Sequence, residues 1–346
     1  MSIRSFFWQI IKSKINIPAS NELIIGYSRQ KRPLYAYTLG SGNQRVSLLA
    51  GAHADEPTGP RLLHHLVNYL SDLSPNHPLL QNYTWYIIPH INPDGENKNL
   101  SWYSYQDEVY DLANYLQFVI REKPGDDIEW GFPTQEKKPL RPENNAAYNF
   151  WQQNSYGFQF HASLHSMGKS YGPWFLIDEQ FLSRSSHIQQ VCKEETTKAG
   201  YTLFDIDRKG EKGFSRIAPG FATKPQSEAM KLFFLQKNEP EMADKFHASS
   251  MEAIKSIGGN PLTIVSEMPL FILPKNDQDI SWPNAELDRW NNKFKEWGEQ
   301  LKNKQITSEQ VKQWAQKEGI KPMSVVDQMY LQWIFISASL EQLEKF

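Results

Sequence analysis

VSLLAGAHADEPTGPRLLHHLVNYLSDL, residues 46–73, decides the fold. Residues 46–51 form a short apolar run closed by glycine, the pattern of a buried strand. Leu62, Leu63, Leu66, Val67 and Leu70 then recur at helical spacing, and Pro57 and Thr58 suit the start of that helix. Strand, loop and helix follow one another, which is the building unit of an α/β sheet. The loop between them carries His53 and Glu56.

Working outward, residues 34–40 (LYAYTLG) read as a strand joined to the first by the turn Ser41-Gly42-Asn43. Residues 84–91 (TWYIIPHI) are another strand, closed by a loop at Asn92-Pro93-Asp94-Gly95. The stretch 101–145 has no clear period, with a helix expected near 107–121 and a long loop after it. GFQFHASLH (157–165), GPWFLI (172–177) and PLTIVSE (261–267) read as strands, and 180–199 as a helix. Residues 205–229 are rich in Gly, Lys and Pro and read as a surface loop. Beyond residue 282 the pattern turns helical: Trp290, Phe294 and Trp297 are spaced by four and three, and a further helix follows in SVVDQMYLQWIFISASLEQL. We therefore expect an α/β core over 1–275 and a helical C-terminal appendage over 276–346, through which two copies could pair.

The chain has 346 residues, 40% of them hydrophobic and 13% aromatic, with a net charge of −2. That is enough for a large core and excludes a disordered chain. The charge lacks the basic excess of a nucleic-acid binder. The one cysteine, Cys192, rules out an intrachain disulfide and a cysteine-rich metal site. No run approaches the ~20 apolar residues of a membrane span. The N-terminal run Phe6 to Ile11 is interrupted by Gln9 and ends at Lys12; it reads as a short amphipathic helix rather than a signal peptide, so a cytoplasmic location is expected.

Four groups stand where chemistry is done. His53 and Glu56 follow one strand, His165 ends a second and Glu267 ends a third. In an open α/β sheet, ligands bind beyond the carboxyl ends of the strands. Zinc takes imidazole nitrogen and carboxylate oxygen, and a catalytic zinc has three protein ligands and one open position. His53-x-x-Glu56 lets two side chains of one loop reach one ion, and His165 completes the set. Glu267 is then placed to take a proton from an activated water and hand it to the leaving amine. A bare H-x-x-E is common by chance, and strand alternation puts His161 on the face of His165, so either histidine could serve; His165 is preferred because it stands at the strand's end.

Taken in order, GAHADEPTG, IIPHINPDG, SLHS and VSEMP resemble the motifs of the M14-type zinc carboxypeptidases, over roughly residues 20–275. The resemblance implies a three-layer α/β/α sandwich around a mixed, mostly parallel sheet of about eight strands. It implies one Zn2+ ion on His53, Glu56 and His165, with Glu267 as general base and acid. Family members carry an Asp-x-Asn-Arg-Asn-Phe segment whose Asp orients the first zinc histidine. DIEWGFP (127–133) looks like that segment, so the resemblance gives Asp127 this role. The family's Asn-Arg pair grips the substrate's terminal carboxylate. Here those positions are Glu129 and Trp130, and a carboxylate and an indole cannot replace a guanidinium fork. Either another arginine supplies the clamp, Arg121 and Arg141 being the candidates, or the substrate has no free carboxylate there. If Glu129 faces the pocket it favours a cationic or hydrogen-bond-donating substrate, with Trp102, Tyr103, Tyr105 and Trp130 as further lining.

The expected activity is zinc-dependent hydrolysis of an amide bond in a peptide or peptide-like substrate. The alternatives are an N-acyl amino acid amidohydrolase of the aspartoacylase or desuccinylase type, and a non-catalytic metal-binding protein. SLHSMGKS (163–170) nearly matches a phosphate-binding loop. Such a loop must open a helix, and the β-like WFLI follows here instead.

Overall fold

The opening segment lies at the centre of a computed structural model that describes residues 2–13, 22–134, 136–154, 156–274 and 280–344. The strands are β1 Leu23–Tyr27, β2 Pro33–Leu39, β3 Gln44–Ala50, β4 Tyr83–Ile88, β5 Phe160–Ser170, β6 Trp174–Ile177, β7 Arg216–Ala218, β8 Phe221–Thr223, β9 Leu262–Ile272 and β10 Lys321–Pro322. Apart from single turns, the helices are α1 Thr58–Asp72, α2 Pro93–Asn99, α3 Leu112–Phe118, α4 Pro142–Gln152, α5 Ser186–Lys198, α6 Ser227–Gln236, α7 Ser250–Ile257, α8 Ala285–Lys302, α9 Ser308–Glu318 and α10 Val325–Leu343.

The strands form one mixed sheet in the order β1-β2-β4-β3-β5-β9-β6-β8-β7, with β10 beside β9. Its centre, β4-β3-β5-β9, is parallel. The flanks β1, β2 and β6 join antiparallel to their inner neighbours. β2 and β3 are joined by a short turn yet are not neighbours, because β4 lies between them. The turn runs tight over the start of β4, where Ser41 N donates to Leu80 O (2.8 Å) and Gly42 N to Tyr83 O (3.2 Å). A Cβ at Gly42 would stand 2.0 Å from the Asn82 carbonyl carbon, so only glycine fits there.

Side-chain alternation along β3 builds the layers. Val46, Leu48 and Ala50 enter the larger core with Leu62, Leu63, Leu66 and Val67 of α1 and Trp333, Phe335 and Ile336 of α10. Leu49 enters the smaller core on the opposite face, with Phe150 and Trp151 of α4 and Ala253 and Ile254 of α7. Helices thus cover both faces of the sheet. α10 packs on β9, α1 and α5. The border expected at 275/276 falls outside the described residues. In the N-terminal segment, Phe7–Ile10 is helical and packs its buried Phe7 and Ile10 against the larger core.

Several sequence expectations change. β5 and β9 do not end at His165 and Glu267; they continue to Ser170 and Ile272 because they pair with each other over that whole length. β3 stops at Ala50, opposite Leu164, and β6 begins at Trp174, opposite Glu267. His165 and Glu267, which are register partners, therefore sit in mid-strand, at the level where the neighbouring strand β3 ends and β6 begins. SLHSMGKS is strand from Ser163 to Ser170, so no phosphate-binding loop forms there. The expected loop at 92–95 is instead the start of α2: the Asn92 side chain accepts from Gly95 N (3.0 Å), and Pro93 occupies the first turn. The expected surface loop at 205–229 contains β7 and the buried β8, at the sheet edge. α4, α7 and α9 had no clear sequence signal.

Candidate metal centre

Gly51 follows β3 with φ +72°, and a Cβ there would stand 2.6 Å from the His90 ring. The chain can turn sharply under His90 only because this residue is glycine. The turn carries His53, Asp55 and Glu56 over the C-terminal end of β3. His165 rises to meet them from β5, on the face that it shares with His161 and Ser163.

The contacts are close. His53 Nδ1 lies 2.8 Å from Glu56 Oε1, and His165 Nδ1 lies 2.9 Å from Glu56 Oε2. The two Nδ1 atoms are 3.1 Å apart. Donor atoms bound at ~2.0–2.1 Å to one tetrahedral zinc lie about 3.3–3.4 Å apart. Two imidazole nitrogens and a carboxylate, converging at nearly that spacing and largely buried, fit such an ion, and among the described residues these three form a group able to hold one. His161 is elsewhere: it is fully buried, 3.0 Å from Ser47 Oγ and 3.2 Å from Ser250 Oγ.

The outer nitrogens of both rings face carboxylates. His53 Nε2 is 3.4 Å from Asp127 Oδ2. His165 Nε2 is 2.8 Å from Ser163 Oγ and 3.2 Å from Glu129 Oε2. Arg121 Nη1 reaches Glu56 Oε1 (3.0 Å) and Asp55 Oδ1 (3.2 Å).

The site favours positive charge between the rings. Against burial and the Arg121 charge, the Glu56 and Asp127 carboxylates raise the His53 imidazole to about 10. Against burial, Glu56 and Glu129 hold His165 well above the usual histidine range. Against burial, His53 and His165 hold Glu56 well below the usual carboxylate range. A centre of this kind attracts a cation, and protons and a metal ion compete for it. Burial, followed by the Glu56 charge, pushes Glu267 up to about 8.

His53, His165, Asp127, Glu129, Trp130, Arg121 and Glu267 all line one cavity of about 330 Å³. Arg141 does not. It is buried against Glu143 (2.7 Å) and Glu122 (3.7 Å) and donates to Asp126 O (3.0 Å), so it braces the turn before Asp127 and is not free to clamp a substrate. Trp102, Tyr103 and Tyr105 are not in the lining either. Trp102 and Tyr103 pack in the larger core against Tyr110, and Tyr105 hydrogen-bonds Glu96. The lining includes residues that the sequence did not single out: Arg208, Lys212, Phe214, Met230, Phe234 and Phe246. The Arg208 guanidinium lies 4.5 Å from the Phe214 ring centre and 4.3 Å from that of Trp282. An amphipathic pattern broken by Gly and Pro gave no signal for these positions.

A mixed α/β sheet thus carries a His-Glu-His cluster where β3 ends and β5 and β9 run on. The chain belongs to the zinc carboxypeptidase family, whose model matches residues 13–199. Over 58 residues it is 40% identical to zinc carboxypeptidase A 1 of Drosophila melanogaster, a stretch that covers 16% of this chain and 14% of that protein. Its fold is similar to that of bovine thrombin-activatable fibrinolysis inhibitor, solved in complex with tick carboxypeptidase inhibitor, with a TM-score of 0.51 and 12% identity over 100% of this chain and 97% of that one. A metallo-carboxypeptidase from Burkholderia cenocepacia matches with a TM-score of 0.43 and 15% identity over 99% of this chain and 68% of that one. Among the described residues, no helix is long and apolar enough to cross a membrane.

Proposed function

We propose that the protein hydrolyses an amide bond of a peptide or peptide-like substrate in this cavity, with one zinc ion held by His53, Glu56 and His165 and with Glu267 moving the protons. The observation that carries this reading is the register pairing of His165 with Glu267 beneath the His53–Glu56 loop. When bound, zinc supplies a Lewis acid that activates water and polarises a carbonyl. Glu267, raised towards neutral pH by burial and then by Glu56, is suited both to accept a proton from the attacking water and to return it to the departing amine. Arg121, fixed by Asp55 and Glu56, offers a positive charge to the oxygen on which negative charge develops. The apolar side of the cavity, from Leu176 and Phe214 to Phe234 and Phe246, accommodates an apolar group of the substrate.

A second reading, in which the substrate is an N-acyl amino acid, rests on the same His53-x-x-Glu56 and distant His165 arrangement. The deciding experiment strips the protein with a chelator, restores Zn2+, and measures hydrolysis of a panel of peptides with free and amidated C-termini and of N-acyl amino acids. Zinc-dependent cleavage of peptides supports the first reading. Cleavage of the acyl amino acids alone supports the second, and no zinc-dependent cleavage of either removes both.

A further inference from the structure

The substitution of glutamate at position 129 is explained by what its carboxylate touches. Asp127 and Glu129 are separated by Ile128, which is fully buried in the smaller core with Phe132, Ala147 and Trp151. With Ile128 turned inward, its two neighbours turn toward the histidines. The segment is pinned along its length. Asn144 Nδ2 donates to Ile128 O (2.7 Å) and Glu129 N to Asp127 Oδ1 (2.8 Å). His247 N donates to Trp130 O (2.9 Å) and Phe132 N to Ala248 O (3.0 Å). Each carboxylate then stands behind one imidazole, Asp127 at 3.4 Å from His53 Nε2 and Glu129 at 3.2 Å from His165 Nε2. Glu129 is 5% exposed, and the atom nearest His165, Oε2, has no hydrogen-bond partner of its own. A buried carboxylate oxygen without a donor is costly, and an N–H on His165 Nε2 is the donor within reach.

We propose that Glu129 is a positioning residue for the metal centre: it holds His165 with the proton on Nε2 and Nδ1 turned to the ion, as Asp127 does for His53. The inference rests on the metal-site reading above. On this account the second carboxylate of the segment faces the metal ligands and does not select a cationic substrate. A carboxylate behind a ligand imidazole fixes its tautomer and raises its basicity, and losing one typically weakens metal binding ~10–100-fold. The competing account is that Ser163 Oγ, 2.8 Å from the same nitrogen, orients the ring by itself.

The test uses the full chain, stripped of metal and titrated with Zn2+ against a chromophoric chelator, with Co2+ absorption as a report on ligand geometry. Glu129→Gln, which keeps the shape and removes the charge, is expected to bind Zn2+ ~10–100-fold more weakly and to change the Co2+ spectrum. Glu129→Asp, one methylene shorter, should fall short of His165 and resemble it. Ser163→Ala should keep most of the affinity. Wild-type affinity and spectrum in both Glu129 variants, with the loss confined to Ser163→Ala, would overturn the proposal. If one Glu129 variant fails to fold, the other and Ser163→Ala still decide. A wild-type protein that binds no Zn2+ at all would instead remove the metal-site reading itself.

Discussion

Glu267 and His161 lie on adjacent strands, but His161 is fully buried whereas Glu267 is partly open. Glu267 lines the same cavity as His53 and His165. Glu267→Gln should retain Zn2+ and lose peptide hydrolysis by ~10²–10⁴-fold, measured as metal content beside turnover; unchanged turnover would take Glu267 out of the mechanism. His161 lies between two serines, and burial, followed by the Lys224 and His165 charges, pushes its imidazole down to about 3. An unfolded chain protonates this histidine below about pH 6.5, whereas the folded protein keeps it neutral. Its effect on stability is therefore most favourable above pH 6.5 and erodes as the pH falls from 6.5 towards 3. The loss of denaturation midpoint between pH 7.5 and pH 4.5 should be smaller in His161→Gln than in the wild type. An equal loss in both would show that His161 is not the group responsible. At this scale the sequence was most informative where neighbours in space are neighbours in the chain. His53 and Glu56 could be read because one loop holds both. Asp127 became legible only through the family resemblance. The partnership of Glu129 with His165 depends on how two distant segments face each other, and no spacing reports that.

Among the elements, the turn after β3 places the site. Gly51→Ala adds a left-handed penalty of ~1–2 kcal/mol to a clash with His90. It should lower the unfolding midpoint and weaken Zn2+ binding in the same protein; a wild-type midpoint would mean that the turn relaxes freely. The central strands and α1 were legible because their apolar periods are unbroken. The true ends of β5 and β9 were not, because Ser166, Gly168 and Lys169 look like loop residues and are strand only through mutual pairing. β7 and β8 were hidden for the related reason that three residues are too few to display alternation. Arg208 and Lys212 reach the cavity from that same edge, so the part of the site facing the substrate was the least readable.

For the whole molecule, the C-terminal helices matter most. We propose that the C-terminal helices α8 to α10 complete the catalytic unit and do not form an independent body. Trp333, Phe335 and Ile336 of α10 are fully buried in the larger core. Trp333→Ala should cost ~3–5 kcal/mol of stability, read by denaturant unfolding. A chain ending at residue 274 should show no cooperative thermal transition; a sharp transition with intact zinc binding would make the segment dispensable. Gln332 of α10 donates to the backbone oxygen of His165 (3.2 Å), and Gln328 accepts from Thr58 at the start of α1 (2.9 Å). These contacts impose an order in time. A chain emerging from the ribosome N-terminus first exposes His53, Glu56, His165 and Glu267 well before the helix that backs them. The nascent protein must then wait, with its central strands uncovered on one face, until residues 325–343 clear the exit tunnel. A ribosome stalled before residue 325 leaves a chain that carries every proposed catalytic residue without the helix whose Gln332 holds the His165 backbone oxygen.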